Sequence, residues 1–123
     1  MMLQRLLLGF AGLVGALGVA AAASASHATE SRNIAAIASI CLAHGPALLA
    51  VGLAGKTRAW RVAGAILALG TLLFVGDLAI REWTGQGLFP GAAPLGGGGM
   101  IVGWLGLALV GLASRSGQQF NKD

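Results

Sequence analysis

Ala68-Leu69-Gly70-Thr71-Leu72-Leu73-Phe74-Val75-Gly76-Asp77-Leu78-Ala79-Ile80 is an apolar run broken by a single carboxylate, closing on Arg81-Glu82-Trp83. Carried back to Val62 it reaches the roughly 20 residues that a helix needs to cross the hydrocarbon core of a bilayer. A charged side chain inside such a segment must be paired or face other helices, so Asp77 implies neighbours packed around it. Arg81 follows at i+4, a spacing that brings the two side chains together on one helix face.

The rest of the chain has the same character. Of its 123 residues 56% are hydrophobic and 10% charged, and the mean hydropathy is +0.81. Soluble domains carry about 25% charged residues, so this composition belongs to a membrane protein. Four spans use up most of the length and leave no room for a separate soluble catalytic domain. The net charge of +4 does not point to nucleic acid, because the Lys and Arg residues are scattered at segment ends instead of sharing one surface. Cys41 is the only cysteine, which rules out an intramolecular disulfide; in its apolar run it reads as a small packing residue.

Three further segments flank the first. Residues 6–24 are apolar and small, with a basic start at Arg5; the run exceeds the ~7–15 residues of a secretory signal core, so a retained helix is expected. A polar turn over 26–33 holds His27, Glu30 and Arg32, and Ser31 or Asn33 is available to cap the next helix, 34–54, in which Pro46 predicts a kink. After the basic turn Gly55–Arg61 comes the segment 62–80, in which Gly64, Ala68, Leu72 and Gly76 recur every four residues. Small residues at that spacing let helices approach closely in lipid, where van der Waals contact drives association. The loop 81–94 is the longest, and Leu88 and Phe89 in it are apolar enough to reach the interface. The last segment, 95–113, opens on four glycines and contains Gly99-Met100-Ile101-Val102-Gly103, a GxxxG match. A polar tail follows from Ser114. The expected fold is thus all-α, an integral membrane four-helix up-and-down bundle.

Basic residues set the orientation. Arg5, Lys56, Arg58, Arg61, Arg115 and Lys122 fall on one side of such a bundle, Arg32 and Arg81 on the other. The positive-inside rule then puts both termini in the cytoplasm of a bacterial inner membrane. Trp60 and Trp83 bracket the third segment about 35 Å apart, a distance suited to the two interfaces.

Several of these stretches resemble one family. Gly15-Ala16-Leu17-Gly18-Val19-Ala20 leading to His27, Leu42-Ala43-His44-Gly45-Pro46, the run Ala68–Leu78, and Ala93-Pro94-Leu95-Gly96-Gly97 followed by Gly103-Trp104-Leu105 resemble the four helices of the YgdD-like family of small inner-membrane proteins, whose mitochondrial relatives are known as transmembrane protein 256. The resemblance covers nearly the whole chain. It departs from the family pattern at Ala23–Ser26, ahead of the first-helix histidine, and at Val75. It implies a four-helix integral membrane protein of no established activity.

Candidate chemistry is sparse. His44 sits near the middle of its helix, where it is expected as a neutral imidazole bonded between helices; the functional rival is a proton relay or haem ligand. Asp77 is expected as an interfacial carboxylate paired with Arg81, its rival being ion or proton coupling. His27, at a similar depth, could join Asp77, Glu30 and Arg81 in a cluster tying the first helix to the third. Haem ligation needs two histidines at one depth, and His27 and His44 lie at different levels. No metal-ligand cluster, phosphate loop or nucleophile constellation is recognisable, so no cofactor, metal or catalytic residue is expected. The packing candidates are Gly64, Ala68, Gly76, Gly99 and Gly103. The expected role is a non-enzymatic accessory or structural subunit, in contact with membrane lipid and with other membrane subunits or copies of itself. The alternative is a small oligomeric proton-coupled transporter using Asp77.

Overall fold

A computed structural model describes residues 2–27 and 30–114. They form four helices: α1 Met2–His27, α2 Arg32–Ala54, α3 Arg58–Thr84 and α4 Ala92–Ser114. Among the described residues there is no strand, and all four helices are long and apolar enough to cross a membrane. The protein is a multi-pass membrane protein with an all-α fold. Arg115 and Lys122, used above for orientation, lie outside the described residues.

Each helix runs further than its apolar core. α3 takes in Arg58–Arg61 at its start and Arg81–Thr84 at its end, because charged side chains at the interface reach water without interrupting the backbone ladder. α4 begins at Ala92 instead of 95, with Pro94 inside its first turn. That placement costs little, since a first-turn residue has no intrahelical carbonyl for its N–H. The connection from α3 to α4 therefore shrinks to residues 85–91. Ser31 is the cap of α2 and accepts from the Ile34 amide at 3.3 Å. α2 stays helical through Pro46.

The helices pack as two antiparallel hairpins, α1–α2 and α3–α4, joined mainly where α2 meets α3; α1 touches α3 more lightly, and α4 makes no close backbone approach to α1 or α2. Two apolar clusters fill the junction. One holds Leu7, Leu48, Leu67 and Met100, the other Val14, Ile37, Cys41 and Val75. Leu48, Leu67 and Cys41 are fully buried. In lipid this burial stabilises through contact density, since the acyl chains displaced are as apolar as leucine.

Glycines determine how close the hairpin partners come. A Cβ on Gly103 would lie 2.8 Å from the Leu67 Cα, and one on Gly70 would lie 2.6 Å from the Met100 amide nitrogen. Gly96 faces the Phe74 backbone and Gly99 the Gly70 Cα, at 2.6 and 3.2 Å by the same measure. In the other hairpin Gly45 of α2 rides on the Gly15 backbone, with a Cβ distance of 3.0 Å. Of the expected packing residues, Gly99 and Gly103 therefore serve the α3–α4 seam. Gly64 serves α2, where a Cβ would meet the Val51 side chain at 2.6 Å. Ala68 is half-buried against the first cluster. Gly76 has only the Leu88 side chain near it, at 3.8 Å, and so packs against the loop and not a helix. A four-residue step advances about 40° around a helix of 3.6 residues per turn, so the stripe 64–68–72–76 winds off any single face.

Candidate functional site

Three groups of polar side chains bear on the candidate residues. At the end of the bundle formed by the close of α3, Asp77 is fully buried. Its Oδ2 accepts from Arg81 Nη2 at 3.1 Å and its Oδ1 accepts from the Leu88 backbone N–H at 2.8 Å. A buried carboxylate is tolerable only when so paired, and the bond to a backbone amide is of the stronger, charge-assisted kind. Local sequence brings the loop to it. Gly85 adopts φ +76° and ends α3 with its N–H on the Arg81 carbonyl at 2.9 Å. Gly87 then passes so close that a Cβ there would collide with Asp77 Oδ1 and the Arg81 guanidinium. Gly91, at φ +88°, turns the chain into α4.

Next to this latch Glu82 Oε2 accepts from Ser31 Oγ at 2.6 Å and from Asn33 Nδ2 at 3.1 Å. One carboxylate oxygen thus ties the start of α2 to the end of α3, while Ser31 still caps its own helix with a lone pair. His27 is exposed at the end of α1, and Glu30 is exposed beyond it. Among the described residues no hydrogen bond or ion pair joins either to Asp77. The four-residue cluster expected there reduces to Asp77 and Arg81, because both carboxylate oxygens are taken by groups on the same helix and its following loop. The tether between hairpins at this end is Glu82 instead.

The third group is mid-bundle. His44 is buried, with Nδ1 2.8 Å from the Ile40 carbonyl and Nε2 3.0 Å from the Trp104 indole nitrogen. A carbonyl only accepts and an indole N–H only donates. The ring must therefore be neutral, with its proton on Nδ1. The two rings meet edge to face, centroids 5.7 Å apart and planes at 72°. This is the one hydrogen bond from α4 to α2 among the described residues.

Sequence reasoning missed Glu82, Trp104, Gly70, Gly87 and Gln4, whose amide donates to the Gly52 carbonyl at 2.6 Å and ties α1 to α2 at the opposite end. A signal existed for Trp104: a donor-only indole in mid-span requires an acceptor, and His44 is the one imidazole at that depth. Among the described residues no three His, Cys, Asp or Glu side chains converge as metal ligands. No buried side-chain nitrogen or oxygen among them lacks a partner.

Comparison with known proteins adds the following. The sequence model of a family described as protein of unknown function (DUF423) matches residues 12–97. The match runs from near the middle of α1 into α4 and includes His44, Asp77 and Glu82. No solved structure matches the chain.

Proposed function

We propose, for a chain that belongs to the DUF423 family, that this membrane protein works as a small non-catalytic subunit of the bacterial inner membrane, acting through contacts of its helices with other membrane proteins. The observation that carries the reading is that the ionisable groups within the spans are engaged inside the chain. Asp77 is held by Arg81 and Leu88, and His44 by Ile40 and Trp104. A proton-coupled carrier needs a carboxylate that exchanges with water or substrate, and a catalytic group needs a free position on its reacting atom. Meanwhile α4 leaves most of its apolar surface uncovered, with Ile101, Leu105 and Leu109 more than half exposed. That surface is available to a neighbouring helix.

The test is a photo-crosslinking amino acid placed at Ile101 or Leu105 in intact membranes, with mass spectrometry of the adducts. Adducts to one or a few membrane proteins, absent when the probe sits at buried Leu67, support the subunit reading. Adducts to lipid alone sink it. Proton-coupled flux in proteoliposomes that disappears in Asp77→Asn would put the small-transporter alternative in its place.

A further inference from the structure

The light contact between α1 and α3 leaves a groove along the side of the bundle. Its first part, about 250 Å³, lies between Leu6 and Phe10 of α1 and Ala65 and Leu72 of α3. A second part of about 180 Å³ shares Phe10 and Leu72 as walls and continues to Ala79. The two hollows follow one another along α1 and α3, with Phe10 and Leu72 lining both. The groove's lining is almost wholly apolar, and from Ala65 to Ala79 it runs about 21 Å along α3. A single leaflet is about 15 Å deep. One acyl chain entering at the Ala65 end would thus be accommodated over its whole depth.

The head of the groove is positively charged. Arg58 and Arg61 precede Ala65 and Ala68 at helical spacing on the same face of α3, and both stand in that helix's first turn, which carries no acidic residue. Two cations at the positive end of a helix dipole are an unfavourable placement that an anion would relieve. Nothing described in the chain supplies one. Glu30, Asp77 and Glu82 all lie toward the other end, and among the described residues neither arginine makes an ion pair. A buried apolar chain below and an anionic group above are the two parts of one molecule already present in the membrane.

We propose that the α1–α3 groove is a binding site for an anionic phospholipid, with one acyl chain between Phe10 and Leu72 and the phosphate on Arg58 and Arg61. The two arginines set the headgroup preference, and the groove walls hold the chain whatever its headgroup. Arg5 falls on the far side of α1 from Leu6 and Phe10 by helical spacing, and Lys56 lies in the turn before α3. Their charges belong to the same end but not to the site.

The experiment uses the full chain in nanodiscs containing equal amounts of phosphatidylglycerol and phosphatidylcholine, with the lipids retained by the protein counted by native mass spectrometry. Wild type is expected to keep phosphatidylglycerol with a preference of roughly thirtyfold, about fivefold from each arginine. Arg58→Gln with Arg61→Gln retains lipid without preference. Ala68→Trp, which fills the groove, retains neither lipid. Arg5→Gln with Lys56→Gln removes the same charge and keeps the preference. Circular dichroism confirms helicity, and Ala65→Leu takes the place of any groove variant that loses it. Equal retention of the two lipids by wild type overturns the proposal. Loss of preference in the control pair also overturns it, by reducing the effect to net charge. A dimer that Ala68→Trp abolishes while lipid retention stays unchanged overturns it too, since a second copy would then fill the groove.

Discussion

The Ile40 carbonyl can only accept and the Trp104 indole can only donate, so the imidazole between them carries its proton on Nδ1 and turns a lone pair toward α4. A ¹⁵N spectrum of the protein in lipid should accordingly show His44 neutral, with Nδ1 protonated and Nε2 bare. Trp104→Phe keeps most of the ring and removes the donor; it should lower stability by about 0.6–1.7 kcal/mol, the range for hydrogen bonds between membrane helices. An unchanged Nε2 resonance in that variant would show that the bond does not form. Asp77 permits a sharper comparison. Asp77→Asn keeps an oxygen for the Leu88 amide but loses the ion pair with the half-exposed Arg81 and the charge assistance of the amide bond, a change of about 1 kcal/mol. Asp77→Ala leaves that amide without its partner, at about 1–3 kcal/mol. Hydrogen exchange over residues 85–91 should be near wild type in the first variant and fast in the second; equal exchange in both would refute the latch. The Asp77–Arg81 pair was legible from its i+4 spacing. The Leu88 amide was not, because its approach depends on the left-handed turn at Gly85 and on the missing Cβ of Gly87.

Between helices, the spacing of small residues foretold that backbones would approach but not which ones would meet. Four-residue spacing drew attention to Gly64, Ala68 and Gly76 of α3, while the face that receives α4 runs through Ala63, Leu67, Gly70 and Phe74. Gly70 stands alone within its helix turn, so no motif within α3 marks it. Its role shows only when Gly96 and Gly99 of α4 are set against it. The glycine run 96–99 is likewise divided by rotation about the helix axis. Gly96 and Gly99 face α3, whereas Gly98 meets nothing within 4 Å. That division can be tested with two substitutions of equal intrinsic helix propensity. Gly103→Val must push a branched side chain into the Leu67 backbone and should cost about 1–3 kcal/mol. Gly98→Val projects into lipid and should stay near wild type. Thermal unfolding in mild detergent reads both, and equal losses would place the α3–α4 seam elsewhere.

Across the whole molecule, polar ties close the two ends: Gln4 to Gly52 within the α1–α2 hairpin at one, and Glu82 to Ser31 and Asn33 between the hairpins at the other. The spans themselves were legible because hydropathy alone separates lipid from water over roughly 20 residues. Their ends were misplaced by a few residues because interfacial arginines and tryptophans continue a helix that the apolar run does not. Charge is distributed just as unevenly. The described carboxylates, Glu30, Asp77 and Glu82, gather at the end where α3 finishes, and Arg5, Lys56, Arg58 and Arg61 gather at the other. Four antiparallel crossings put the start of α1 and the end of α4 on one side, and the positive-inside rule predicts that this basic side faces the cytoplasm. A fluorescent protein fused to the carboxy terminus should then fold and emit in intact bacteria, while alkaline phosphatase at the same position stays inactive; with the fusion after Gly87 the two reporters should exchange behaviour. Replacing Lys56, Arg58 and Arg61 with glutamine leaves Arg5 alone among the described cations of that end, against Arg32 and Arg81 at the other, and should yield a mixed population with both reporters partly active. Reporters unmoved by that triple change would mean that something other than these cations orients the bundle, and the assignment of the basic end to the cytoplasm would lose its physical basis.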